Sequence, residues 1–177
     1  DPEALKKTIG YILQSCQAAD WMGAGRIVVH TGALMKRSRR EALDIALASM
    51  EEILKVWEGE GFSHIALCPE TMGKINQLGD LEEGLELCTL DERLIPCIDF
   101  GHLYARSLGA DDGAEAFGRM LDRVEEELGY STTVVATGGM AQFVVPLCHR
   151  KIQVDRDLLL KGLNIIYQKN AAKRGGR

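Results

Sequence analysis

Apolar and polar positions follow two rhythms along this chain. Four short apolar, β-branched runs, Arg26 to His30, His64 to Cys68, Leu94 to Asp99 and Thr132 to Ala136, lack every-second-residue alternation. That is the pattern of strands covered on both faces. Between them the spacing is helical. Pro2 to Met22 sets Leu5, Ile9, Ile12, Leu13 and Cys16 on one stripe, and Pro2 suits a first helical turn. Arg39 to Gly59 carries Leu43, Ala46, Leu47, Met50, Ile53, Leu54 and Trp57 at the same spacing. Leu81 to Cys88 and Ala114 to Leu128 read as shorter amphipathic helices. The first three strand starts are separated by the length of a strand–helix unit, about 30 residues or more. Alternation of this kind predicts an α/β fold with a parallel sheet.

After the fourth run the rhythm changes. Thr137-Gly138-Gly139 follows the strand, then an apolar stretch from Met140 to Leu147, a fifth strand candidate at Lys151 to Val154, and a last helix from about Arg156 to Asn170. A domain boundary is expected at Gly129-Tyr130, where no low-complexity linker intervenes. Residues 171–177 are expected to be a disordered tail.

Composition adds limits rather than a fold. The 177 residues are 46% hydrophobic, 27% charged and 6% aromatic, an ordinary globular mixture. A chain of this length buries roughly 70% of its unfolded surface, so a core without staples is feasible. No apolar run approaches the ~20 residues that cross a bilayer, and no secretory pattern opens the chain. The start at Asp1-Pro2-Glu3 lacks an initiator Met and runs straight into helical sequence, as though the chain begins inside a larger fold.

A net charge of −5, from 21 basic and 26 acidic side chains, excludes a globally basic nucleic-acid binder and leaves room for a local basic patch. Lys36-Arg37-Ser38-Arg39-Arg40 and the tail from Lys169 read as a solvated face and a frayed terminus. The five cysteines, Cys16, Cys68, Cys88, Cys97 and Cys148, are odd in number with no CxxC spacing. Cys68 and Cys97, inside apolar runs, are expected to pack as small hydrophobes. A reducing, cytoplasmic setting with no membrane partner follows as the expectation.

Candidate chemistry gathers at strand ends, where a parallel sheet leaves its loops free for function. The first run ends in His30-Thr31-Gly32, the second continues through Pro69 to Glu70, and the third ends in Asp99 with His102 behind it. Imidazole and carboxylate are the donors that zinc and similar ions accept. A lone strand-end histidine is commonly a hydrogen-bonded structural residue, and Asp99 alone could equally cap the helix after it. Three consecutive strand ends with the same pattern favour a site over coincidence. His64, ahead of its strand, and His149, in a polar turn, read as surface residues. Trp21 and Trp57, near helix ends, read as core or rim packing. No Ser-His-Asp order, Walker-type loop or Cys-His pairing suggests another chemistry.

The stretches RIVVHTGA (26–33), ALCPETMGK (66–74) and IPCIDFGHLYARSLG (95–109) resemble the central part of the endonuclease IV family over roughly residues 1–128. That resemblance implies part of a xylose isomerase-like TIM barrel whose relatives hydrolyse DNA at abasic sites with a three-zinc cluster. His30 falls on the family's strand-3 histidine, in an HTG rather than HPG context. Glu70 falls on the glutamate that bridges two metals, and Asp99 and His102 on the DxxH pair after strand 5. By resemblance, His30 and Glu70 would serve a first ion, Asp99 would share a second with Glu70, and His102 would serve a third. Glu70 would be the catalytic carboxylate of a metal-dependent phosphodiester hydrolase acting on abasic DNA. The strands present correspond to three to five of the family's eight. The strand-2 histidine and the strand-6 to strand-8 ligands have no counterpart, so the site is incomplete in this chain. An incomplete barrel implies self-association, with two copies completing one another.

From about Gly129 to Asn170, VVATGGMA (134–141) and IQVDRDLLLKGLNIIYQKN (152–170) resemble the C-terminal end of type III pantothenate kinases. Those enzymes have an actin-like ATPase fold, which would make Gly138 and Gly139 nucleotide-contacting and ATP the ligand under that alternative. The family's phosphate loop, catalytic aspartate and pantothenate-binding residues lie upstream of the matched part. The whole reads as a partial TIM barrel joined to a C-terminal strand–helix piece of an actin-like kinase fold. An inactive chimera is the remaining alternative.

Overall fold

Capping chemistry sets the ends of the first helices. The Asp1 carboxylate accepts the Glu3 amide at 3.0 Å ahead of α1 (Pro2–Met22). Ser38 and Glu41 form a reciprocal capping box at the start of α2 (Arg39–Gly59), and Asp80 and Glu83 form another at α3 (Leu81–Cys88). All three helices span the residues that the apolar spacing marks out. The computed structural model describes residues 1–111, 113–139, 141–148 and 150–174. It divides into two compact units, Asp1–Asp111 and Asp112–Arg177.

In the first unit, β1 (Arg26–His30) and β2 (Ala66–Glu70) pair in parallel, in a register that sets Val28 beside Cys68 and His30 beside Glu70. Paired residues share a face, so this register divides the sheet. Val29 and Leu67 face α1, α2 and α3, in a core with Ile12, Cys16, Met50, Ile53, Trp57, Ile65 and Leu87. The other face carries Val28, His30 and Glu70. The expectation that every strand is covered on both sides does not hold for β1, where Val28 is 56% exposed.

The expected second strand, His64 to Cys68, sits two residues later. The expected third, Leu94 to Asp99, is reduced to isolated parallel bridges at Leu67–Leu94 and Glu70–Cys97. Proline explains the gap. Ile95 and Cys97 donate to the Leu67 and Pro69 carbonyls, and Thr71 donates to Cys97, but Pro69 has no N–H to extend the ladder between these bonds. The chain then enters α4 (Phe100–Arg106), a helix too short for its period to be recognised in the sequence.

The second unit contains α5 (Gly113–Leu128), β3 (Val134–Ala136), α6 (Ala141–Val144) with a 3-10 turn after it, β4 (Ile152–Val154) and α7 (Leu158–Arg174). The strands β3 and β4 pair in parallel. The helix α7 continues through Arg174, past the expected end near Asn170 and into the segment expected to be disordered. Met140, His149 and the last three tail residues, 175–177, lie outside the described residues. Among the described residues, no helix is long and apolar enough to cross a membrane.

Candidate metal centre

The carboxyl end of β2 delivers Glu70, and the Glu70–Cys97 bridge brings the segment ahead of Asp99 alongside it. Asp99 is the N-cap of α4, its Oδ1 accepting the His102 amide at 2.9 Å. The two readings of Asp99 are therefore compatible, because the cap uses Oδ1 and leaves Oδ2 available. One ligand atom from each of Glu70, Asp99 and His102 lies within 4.8 Å of the others. His102 Nδ1 stands 3.8 Å from Glu70 Oε1 and 3.7 Å from Asp99 Oδ2.

His30 falls outside this triad and beside it. Its Nε2 lies 3.0 Å from Glu70 Oε2, and its side chain is 67% exposed. The two Glu70 oxygens thus face different histidines, one at the end of β1 and one in the first turn of α4. His102 Nδ1 also lies 2.8 Å from the Thr71 carbonyl. A carbonyl oxygen only accepts, so Nδ1 is the donor in that bond, which orients the ring beside the two carboxylates. Two half-buried carboxylates and an oriented imidazole suit a divalent cation. Gly73 permits this packing, since a Cβ there would stand 3.3 Å from the His102 ring.

The loop after β2 is held by Arg39 and Arg106. Arg39, within the basic cluster expected as a solvated face, makes two hydrogen bonds to Glu83, from Nε at 2.8 Å and Nη2 at 2.6 Å. Its guanidinium also donates to the Ile75 and Gln77 carbonyls. Arg106 donates to the carbonyls of Met72, Lys74 and Gln77. Burial lowers the Arg106 pKa, with nearby Arg39 adding to the effect. Burial pushes Glu83 upward, but its bonds to Arg39 and to the Asp80 and Gly79 amides outweigh it and hold the carboxyl below its ordinary value. Gly79 completes the loop at φ +110°, where a Cβ would come within 2.9 Å of the Glu70 carbonyl oxygen. The Asp80-x-x-Glu83 spacing was the sequence signal for this network, as a capping box.

The other expected residues sit apart from the triad. His64 is exposed, as expected, and lies 3.2 Å from both the Gly61 carbonyl and Asp20. Trp57 is fully buried beneath Arg93, whereas Trp21 is 65% exposed rather than packed in the core. Burial raises the Cys68 and Cys97 thiol pKa values, consistent with small apolar packing groups. In the second unit, Gly138 and Gly139 line a cavity of about 250 Å³ with Gln142 and Arg156. Gly138 has φ +88°, so the turn itself accounts for that glycine.

Comparison with known proteins matches residues 1–163 to the xylose isomerase-like TIM barrel family. An uncharacterized protein of Methanocaldococcus jannaschii is 33% identical over 129 residues, covering 73% of this chain and 46% of that protein. A type III pantothenate kinase of Rhodococcus erythropolis is 31% identical over 85 residues, covering 46% of this chain and 29% of the kinase. That of Myxococcus xanthus is 48% identical over 50 residues, covering 28% of this chain and 20% of the kinase. The chain spans less than half the length of these curated relatives.

Proposed function

Because the chain belongs to the xylose isomerase-like TIM barrel family, we propose that it is a divalent-metal-dependent phosphodiester hydrolase-like module of the endonuclease IV type. Its ligand set is partial, zinc is its ion and DNA with abasic sites is its target. The supporting observation is the Glu70 carboxylate between His30 and His102, one oxygen toward each. A divalent ion there would supply Lewis-acid polarisation of a phosphate oxygen. The chain's own residues prepare the site: Asp99 spends one oxygen on the α4 cap and keeps the other, while the Thr71 carbonyl orients the His102 ring.

The target class draws support from the loops above the strand ends. Residues 31–37 and 74–78 pair through the Ala33–Gln77 bridge and the Leu34-to-Asn76 hydrogen bond. These loops carry the exposed cations Lys36, Arg37 and Lys74. Such side chains contact phosphates and set position without reading bases.

Calorimetric zinc titration tests the metal reading. Wild type should bind and Glu70→Gln should bind most weakly among single ligand variants; equal binding by the two proteins overturns the bridging role. Self-association through the open β1 edge belongs to the same proposal. Val28→Lys should reduce the mass seen by light scattering, and a monomeric wild type removes the idea. The kinase matches favour a second reading, a nucleotide-associated module of actin-like kinase type beginning near Gly129. An ATP-induced rise in melting temperature, lost in Arg156→Ala at the Gly138–Gly139 cavity, would support it.

A further inference from the structure

Thr71 follows Glu70 directly and is 1% exposed, a polar side chain inside an apolar setting. Its main-chain N–H donates to the Cys97 carbonyl at 3.0 Å. Its carbonyl accepts His102 Nδ1 at 2.8 Å. Its hydroxyl accepts the Asp99 amide at 2.8 Å and donates toward the Asp99 carbonyl at 3.4 Å. All four polar connections of one residue therefore enter the framework of the triad. Three join main-chain atoms of Cys97 and Asp99, and one orients the histidine.

The hydroxyl bonds have no local purpose. They span 28 positions of sequence, and Asp99 lies just beyond Cys97, where regular pairing with β2 ends. Beyond that point the Asp99 carbonyl accepts the Leu103 amide at 3.1 Å as α4 begins, and the Asp99 amide has the Thr71 hydroxyl as its acceptor. The bond is part-buried, so without the hydroxyl the Asp99 amide must find water or another acceptor, and the chain there would shift to reach it. The Asp99 carboxylate would move with it, since Cα and side chain turn together.

We propose that the Thr71 hydroxyl is the positioning group for the metal centre, locking the Asp99 backbone so that its carboxylate meets Glu70 and His102. This inference rests on the metal reading above. Thr71 acts through Asp99, much as outer-shell hydrogen bonds orient ligands in metal sites generally.

The test compares zinc affinity by calorimetry in wild type, Thr71→Val, Thr71→Ala and Thr71→Ser. Every variant keeps the Thr71 carbonyl, so the bond to His102 is common to all. Alanine and serine lose the same methyl group and differ only in the hydroxyl. Thr71→Val and Thr71→Ala should lose about 10–100-fold in affinity, and Thr71→Ser should stay within about threefold of wild type. Circular dichroism melting identifies the temperature below which all four are folded. Wild type carries a second readout that needs no variant, slow hydrogen exchange at the Asp99 amide. Equal zinc affinity in all four proteins overturns this inference and leaves the metal reading standing. A rapidly exchanging Asp99 amide in wild type also overturns it. Absence of zinc binding in wild type overturns both readings together.

Discussion

The two units are stabilised by different physics. In Asp1–Asp111, Trp57, Ile65, Leu67, Leu78, Leu85 and Leu87 are at most 2% exposed, and Glu83 is held by a largely buried network. In Asp112–Arg177, Ala116, Val124 and Ala141 are the buried hydrophobics among the described residues. The helix α7 leaves Leu159 72%, Leu160 64% and Tyr167 72% exposed. The ion pairs of this unit are local in Arg119–Glu115, Arg123–Glu127 and Lys161–Asp155, while Arg150 reaches Asp122 and a partly buried Glu125 across more than twenty positions. Exposed local pairs each contribute only about 0.2–1 kcal/mol. The first unit's core joins helices and strands far apart in sequence, and the Glu70, Asp99 and His102 cluster lies in that unit.

Three changes would break or sharpen this contrast. The largest effect is expected from Trp57→Ala, which empties a fully buried site and removes the stacking surface of Arg93, 4.7 Å away. It should cost about 3–5 kcal/mol in urea unfolding, against about 1–2 kcal/mol for Val124→Ala in the second unit. Equal costs would remove the distinction.

Next comes Glu83→Gln, which removes the nearer carboxylate from Arg39, leaves Asp80 at 3.7 Å, and loosens the loop behind the triad. Removing one member of a buried pair costs about 3–5 kcal/mol, and the partial exposure of Arg39 places this variant at the lower end, about 3. The same carboxyl carries a pH dependence. Its folded pKa is depressed below 4.5, so the native state binds its proton less readily than the unfolded chain. Its stabilisation is complete above the unfolded value and is lost as pH falls through the folded one. Chemical denaturation at pH 7 and near pH 3 should show this loss in wild type and a smaller loss in Glu83→Gln.

The smallest effect belongs to Arg150→Gln. Hydrogen bonding to Arg150, then to the Thr132 amide and hydroxyl, holds Glu125 at about 2. Carbon-detected NMR titration should find it moving up toward 4.5 in the variant. The associated stabilisation is present above about 4.5 and disappears as pH falls toward 2. The melting of the first unit should not change.

Much of the first unit was legible in its sequence. Helical spacing and end signals set α1, α2 and α3, and β1 follows its apolar run to the residue. The third strand was misread because an apolar run does not report that Pro69, on the neighbouring strand, lacks a donor. Arg39 was misread because its partner Glu83 lies 44 positions away, beyond the reach of any charge-run rule. In the second unit, α7 outlasts its expected end, since no capping signal near Asn170 stops it.

The sequence by itself determined the parallel α/β pattern, the capped helices, and the presence of His30, Glu70, Asp99 and His102 at or just beyond strand ends. These depend on interactions spanning about four residues, which spacing encodes directly. Only the tertiary structure decided that Glu70, Asp99 and His102 converge while His30 stands to one side. It alone showed that Thr71, with no motif of its own, makes four polar connections around them. That outcome depends on strand register, the Glu70–Cys97 bridge above all, and register is a relation between segments that neither segment's pattern contains.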